Sequence, residues 1–135
     1  FAKKCALLGD AGAGQLTKMV NQICLAGLLQ ALSEGVAFAQ RAGLDVEQVI
    51  EVIGQGASQS WQMDNRALTM AEGRFDFGFA VDLMRKDLGI CLAEAGRNGS
   101  RLPITALVDQ LFGQIQERGG GRNDTSSLVD LLVNP

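Results

Sequence analysis

The sequence of 135 residues predicts an all-α fold, a helical bundle built around one long buried helix. Three observations carry this reading. Apolar residues recur at helical spacing from Gln15 to Ala42, about 28 residues or ~40 Å of helix. The remainder is divided by glycine, aspartate, serine and proline into segments of helical length with recognisable caps. No stretch alternates apolar and polar residues as a half-buried strand would, and no internal repeat is present.

The long segment comes first. Apolar residues fall on nearly every face between Ile23 and Ala39, which predicts burial within the domain or against another subunit. Gly27 and Gly35 lie inside it. Each costs about 1 kcal/mol relative to alanine, so close helix contact is expected to compensate. Gly43 ends the helix. Asp45 caps a second helix, Val46 to Ile53, with Glu47 and Gln48 in its first turn. Ser58–Gln59–Ser60 precedes a third, Trp61 to Ala71, in which Trp61 reads as a core anchor or as the wall of a cleft. Gly73–Gly78, GRFDFG, is a loop pinned by its phenylalanines. A fourth helix runs from Phe79 to Ala95, its apolar face formed by Val81, Leu83, Met84, Leu88, Leu92 and Ala95. Pro103 suits the first turn of a fifth, ending near Arg118. Asp124–Thr125–Ser126–Ser127 caps a last short helix, Ser127 to Leu132. Residues 1–10 read as an extended connector or a short strand, the connector being preferred; residues 11–135 form one helical domain.

Composition narrows the function. Apolar residues make up 47% and charged residues 20%, as in a soluble globular domain. A net charge of -3 without a basic block argues against nucleic acid as a partner. Histidine is absent, which removes His-based triads and His metal sites. Cys5, Cys24 and Cys91 have no CxxC or zinc spacing, so no metal site is expected; they read as reduced thiols of a cytoplasmic protein. Gln30, Ser33 and Glu34 interrupt the run Ile23–Ala39, which reads as too polar for a membrane span.

The polar residues of the long helix are the candidates for chemistry. Gly12–Ala13–Gly14–Gln15–Leu16–Thr17–Lys18 lacks the order of a dinucleotide fingerprint, and GxxxxGK[ST] is absent. The glycines let the chain turn and pack closely, or let backbone approach a ligand. Lys18, Asn21 and Gln22 share a helix face, with Gln15 one turn before them. A lysine among apolar residues is costly to bury unless partnered or used. The plainer alternative is a solvated lysine near a helix start. Likewise Arg85–Lys86–Asp87 is a solvated charged face or a ligand contact.

The blocks GAGQLTKMVNQ, GQGASQSW, FDFGFAVDLMRKDLGICLAEA, LPITALVDQLF and NDTSSLVDLL, in this order, resemble the C-terminal helical domain of the β-hydroxyacid dehydrogenases. That family includes 3-hydroxyisobutyrate dehydrogenase, tartronate semialdehyde reductase and, more distantly, 6-phosphogluconate dehydrogenase. The resemblance covers nearly the whole chain. It implies an N-terminal Rossmann domain, separate from these residues, that binds NAD or NADP, and a helical domain that completes the active site and much of a homodimer or tetramer. A chain beginning at Phe1 is then expected to be a fragment, with residues 1–10 leading from that other half.

Carried over by position, the resemblance makes Lys18 the catalytic lysine and gives Gly14, Asn21 and Gln22 to the substrate. Gln22 stands where relatives commonly have asparagine. Lys86 matches a lysine that contacts the nicotinamide cofactor, and Asp87 a positioning neighbour. A lysine that serves as base must be neutral part of the time, a state that burial and a second cation favour. Burial of Lys18, with Lys86 close by, is therefore expected. The alternative is a catalytically silent dimerisation module.

Overall fold

The computed structural model describes residues 11–135, so the readings of the connector 1–10, Cys5 included, lie outside the described residues. The elements are α1 (Ala11–Arg41), α2 (Val46–Ile53), α3 (Trp61–Glu72), α4 (Val81–Asn98) and α5 (Pro103–Glu117), followed by a 3₁₀ segment (Thr125–Val129) and the single turn α6 (Asp130–Val133). Among the described residues no strand occurs; Ala80 and Asp124 form one isolated antiparallel bridge. The all-α expectation holds. The last predicted helix is a 3₁₀ segment running into one α turn, and the fourth starts two residues later than Phe79, at Val81.

Caps account for several of these boundaries. Asp45 accepts the Glu47 N–H at 3.0 Å, and Ser60 accepts the Met63 N–H at 3.0 Å, each satisfying a donor that the helix leaves open. The start of α4 has no side-chain cap. Its Val81 and Asp82 N–H groups instead donate to the carbonyls of Asn123 (2.9 Å) and Gly121 (2.8 Å). The C-terminal segment thus fixes where α4 begins, which matters because α4 carries Lys86 and Asp87.

The core forms two clusters along α1. Ala26 and Leu29 meet Val81, Met84, Leu88, Val108, Phe112, Ile115 and Leu128. Further along, Leu32, Val36, Ala37 and Ala39 meet Val46, Met63, Ala67, Met70 and Val129. Buried Ser33 returns its hydroxyl to the Leu29 carbonyl at 2.8 Å, which satisfies that hydroxyl.

Two expectations about burial are corrected, and a third holds only in part. Within the domain the long helix is covered on one side only: Leu16, Val20, Cys24, Ala31, Gly35 and Phe38 are exposed, Phe38 at 73%. Their spacing puts them on one flank, and α3, α4, α5 and the 3₁₀ segment all pack on the other. This leaves burial against another subunit as the alternative for the exposed flank. Gly27 does allow close packing, since a Cβ there would lie 3.2 Å from Ile104 Cγ2, but nothing lies within 4 Å of one built on Gly35. Trp61 is 59% exposed and is not a core anchor. Its ring covers the Arg66 guanidinium at 5.0 Å, with Phe77 at 4.9 Å. Of the GRFDFG phenylalanines, Phe75 packs against the second cluster.

By length and composition Gly12–Arg41 is apolar enough to cross a membrane, contrary to the reading of its interruptions as disqualifying. Its inner face, however, holds the two core clusters, the arrangement of a globular core helix.

Candidate functional site

A cavity of about 270 Å³ opens between the first half of α1 and the middle of α4. Gln15, Lys18, Met19 and Gln22 line it from α1 at steps of three and four, and Asp87, Ile90 and Cys91 do the same from α4. Two motifs 69 residues apart in sequence, counting from Lys18 to Asp87, therefore line one cavity. Lys18 is exposed, against the expectation of burial. It lies before Ala26, the first α1 residue of the core clusters, so no packed layer covers it.

Gln22 is the buried polar residue of the site, 7% exposed. Its Nε2 donates to Asp87 Oδ2 at 3.0 Å and lies 3.6 Å from Met84 Sδ. Its Oε1 accepts from Asn21 Nδ2 at 2.9 Å. Asn21 is exposed and joins the site through this bond. Gly14 is half-buried one turn before Lys18 and does not line the cavity. Lys86 is exposed and does not line it either. Successive helical residues point about 100° apart, so when Asp87 faces α1 its neighbour faces away. The structure thus gathers Lys18, Gln22, Asn21 and Asp87, and leaves Lys86 and Gly14 at the margin.

Sequence reasoning missed the apolar wall. Ile90 and Cys91 follow Asp87 by three and four residues, a signal that helical spacing alone contains. Cys91 is buried, and its thiol donates to the Met19 carbonyl at 3.7 Å, tying the two helices behind the cavity. Burial, then the Asp87 charge, raise the Cys91 pKa, and a backbone hydrogen bond lowers it in part. A second cavity, of about 260 Å³, adjoins at Met19 and Cys91 and is lined mainly by apolar residues such as Leu16, Val20 and Leu102.

An all-α unit that sets an ammonium and a carboxylate across one small cavity, on a GxGxxxK helix and a KDL helix, has the character of the C-terminal domain of a β-hydroxyacid dehydrogenase. Residues 12–132 match the family described as NAD-binding of NADP-dependent 3-hydroxyisobutyrate dehydrogenase, and the chain belongs to that family.

An uncharacterized oxidoreductase of Shewanella frigidimarina (strain NCIMB 400) is 65% identical over 130 residues, covering 96% of this chain and 45% of the relative. The 2-hydroxy-3-oxopropionate reductase of Escherichia coli (strain K12) is 35% identical over 132 residues, covering 98% and 45%. The crystal structure of a 3-hydroxyisobutyrate dehydrogenase from Salmonella typhimurium superposes with a TM-score of 0.80 at 30% identity, covering 89% of this chain and 42% of that one. The chain spans less than half the length of each of these relatives.

Proposed function

We propose that this chain is the helical half of an NAD(P)-dependent oxidoreductase that transfers a hydride between a nicotinamide cofactor and a small 3-hydroxy acid or its semialdehyde, with Lys18 as general acid/base. The observation that carries the proposal is the shared cavity of Lys18 and Asp87. Its volume of about 270 Å³ suits a small acid; sites for drug-sized ligands run to about 300–1,000 Å³, so a dinucleotide must lie mostly on another unit. A Rossmann half preceding these residues is the proposed unit. Lys86, exposed at the margin, would hold an edge of the cofactor, and Asp87 would stand between cofactor and substrate.

When bound, the nicotinamide supplies or takes the hydride. The chain's own residues handle charge and the proton. Reduction of a carbonyl leaves negative charge on oxygen, and the Lys18 ammonium stabilises it and donates the proton. In the oxidising direction the amine takes the alcohol proton. Gly14 and Asn21, on the same stretch of α1, are the proposed substrate-side neighbours. The exposed stripe from Leu16 to Phe38 is proposed to be covered by the N-terminal half and by a second subunit, in a cytoplasmic homodimer or tetramer.

Lys18→Arg tests this in the protein that includes the N-terminal half. Charge is kept and the proton-donating geometry is lost, so kcat should fall by about 10²-fold or more. Near-normal turnover would remove Lys18 from the chemistry. The 135 residues alone should show no NAD(P)-dependent turnover.

A further inference from the structure

The resemblance gives Gln22 to the substrate, yet the amide nitrogen of Gln22 is already occupied. One nitrogen reaches Asp87 Oδ2 at 3.0 Å and Met84 Sδ at 3.6 Å, which uses both of its protons. The oxygen accepts from Asn21. The orientation of these amides follows from chemistry and not from a choice between nitrogen and oxygen. An ionised carboxylate only accepts, so the end of Gln22 that meets Asp87 must be the donor. The oxygen is then turned toward Asn21, which must donate in turn. One charge on α4 sets the direction of two amides on α1.

Donating to a substrate through Gln22 Nε2 would require breaking its charge-assisted bond, which is the stronger kind. Breaking it would also leave a buried donor unpaired. The oxygen's remaining lone pair sits on a side chain only 7% exposed. Side-chain length bears on the same point. Asparagine, one methylene shorter, would start from the same backbone position and stop short of α4. Glutamine spans the gap.

We infer that Gln22 is a positioning residue and not a substrate ligand: it pins the Asp87 carboxylate in the cavity that Lys18 also lines. Without it the half-buried Asp87 side chain is free to swing toward water, and the cavity loses its fixed anion. This inference rests on the reading of the cavity as the active site of a dehydrogenase.

The test uses the protein with its N-terminal half, assayed with 3-hydroxyisobutyrate. Gln22→Met keeps the length and removes the hydrogen bonds; Gln22→Asn keeps an amide and removes the reach. Positioning predicts that both lower kcat by about tenfold or more, as small misplacements do, while KM for the acid stays within about threefold. Asp87→Ala should lower kcat similarly, and Gln22→Met should add little on top of it, because the two residues act as one unit. Three results would overturn the inference: normal kinetics in Gln22→Asn, a KM increase of about tenfold at unchanged kcat, or losses from Gln22→Met and Asp87→Ala that multiply. Melting curves keep a folding defect in one variant apart from these outcomes, and the other variant then decides. Lys18→Arg in the same assay judges the dehydrogenase reading separately, since near-normal turnover there removes the acid/base lysine whatever Gln22 does.

Discussion

The Asp124 carboxylate takes the Nε–H of Arg66 at 3.2 Å, joining α3 to the C-terminal segment beneath the α3–α4 loop. Asp124 is buried and satisfied on several sides. It also accepts from the Phe79 N–H at 2.9 Å, the Ser126 N–H at 3.1 Å and the Ser126 hydroxyl. Gly78 makes room for it: at φ +73° a glycine is favoured, and a Cβ there would collide with the Asp124 carboxylate. The geometry matters to the site because the same segment caps α4 through Asn123 and Gly121.

Asp124→Ala should therefore cost more than an ordinary loop substitution. Removing Asp124 leaves the N–H groups of Phe79 and Ser126 without an acceptor, at about 1–3 kcal/mol for a buried donor, while Arg66 is 20% exposed and is partly compensated by water. The Ser126 bond is also the cap of the 3₁₀ segment. Urea denaturation of wild type and variant measures it. A loss below about 1 kcal/mol, the scale of an exposed pair, would mean that Asp124 is not the hub the geometry describes.

Two glycines of α1 should respond differently to alanine. Gly35 is exposed with open space where a Cβ would go, so Gly35→Ala should gain helix propensity freely, about 0.5–1 kcal/mol. At Gly27 the added carbon would lie 3.2 Å from Ile104 Cγ2, so α5 must give way and the gain shrinks or reverses. The comparison is made from denaturation midpoints of the two single variants. Equal gains would show that α1 and α5 are not in close contact at Gly27.

How much of this was legible beforehand can be said residue by residue. Caps are local, and Asp45, Ser60 and Asp124 announced their helices because a short side chain needs only the next two or three N–H groups. The pairing of the GxGxxxK and KDL blocks was legible only through family resemblance, because nothing in either block specifies which helix it will face. Periodicity also failed to say which flank of α1 would be covered. Phe38 and Val36 are equally apolar, and only the placement of α3, α4 and α5 makes one exposed and the other buried. Trp61 misled for a related reason: its size suggests the core, whereas Arg66 gives it a partner at the surface. Lys86 and Asp87 are adjacent in sequence, yet a helix sends them in different directions.

Cys91 offers a pH-dependent check of the wall between α1 and α4. Its thiol is held protonated above the ordinary range, first by burial and then by Asp87. The unfolded chain releases that proton earlier as pH rises, so in alkali the folded state holds more protons than the unfolded one. The thiol's contribution to stability is therefore complete below about pH 9, the ordinary value, and is lost as pH climbs through the folded value. Cys91→Ala should flatten that alkaline decline. In the 135-residue chain at pH 8, with the Leu16–Phe38 stripe uncovered, a thiol reagent should label exposed Cys24 well before Cys91, as peptide mapping would show. Asp87→Asn removes the second cause and should speed the Cys91 reaction without changing Cys24. If both thiols reacted at the same rate in the wild-type chain, α4 would not be seated against Met19. The cavity built on that contact, with Lys18 and Asp87 on its walls, would lose its support.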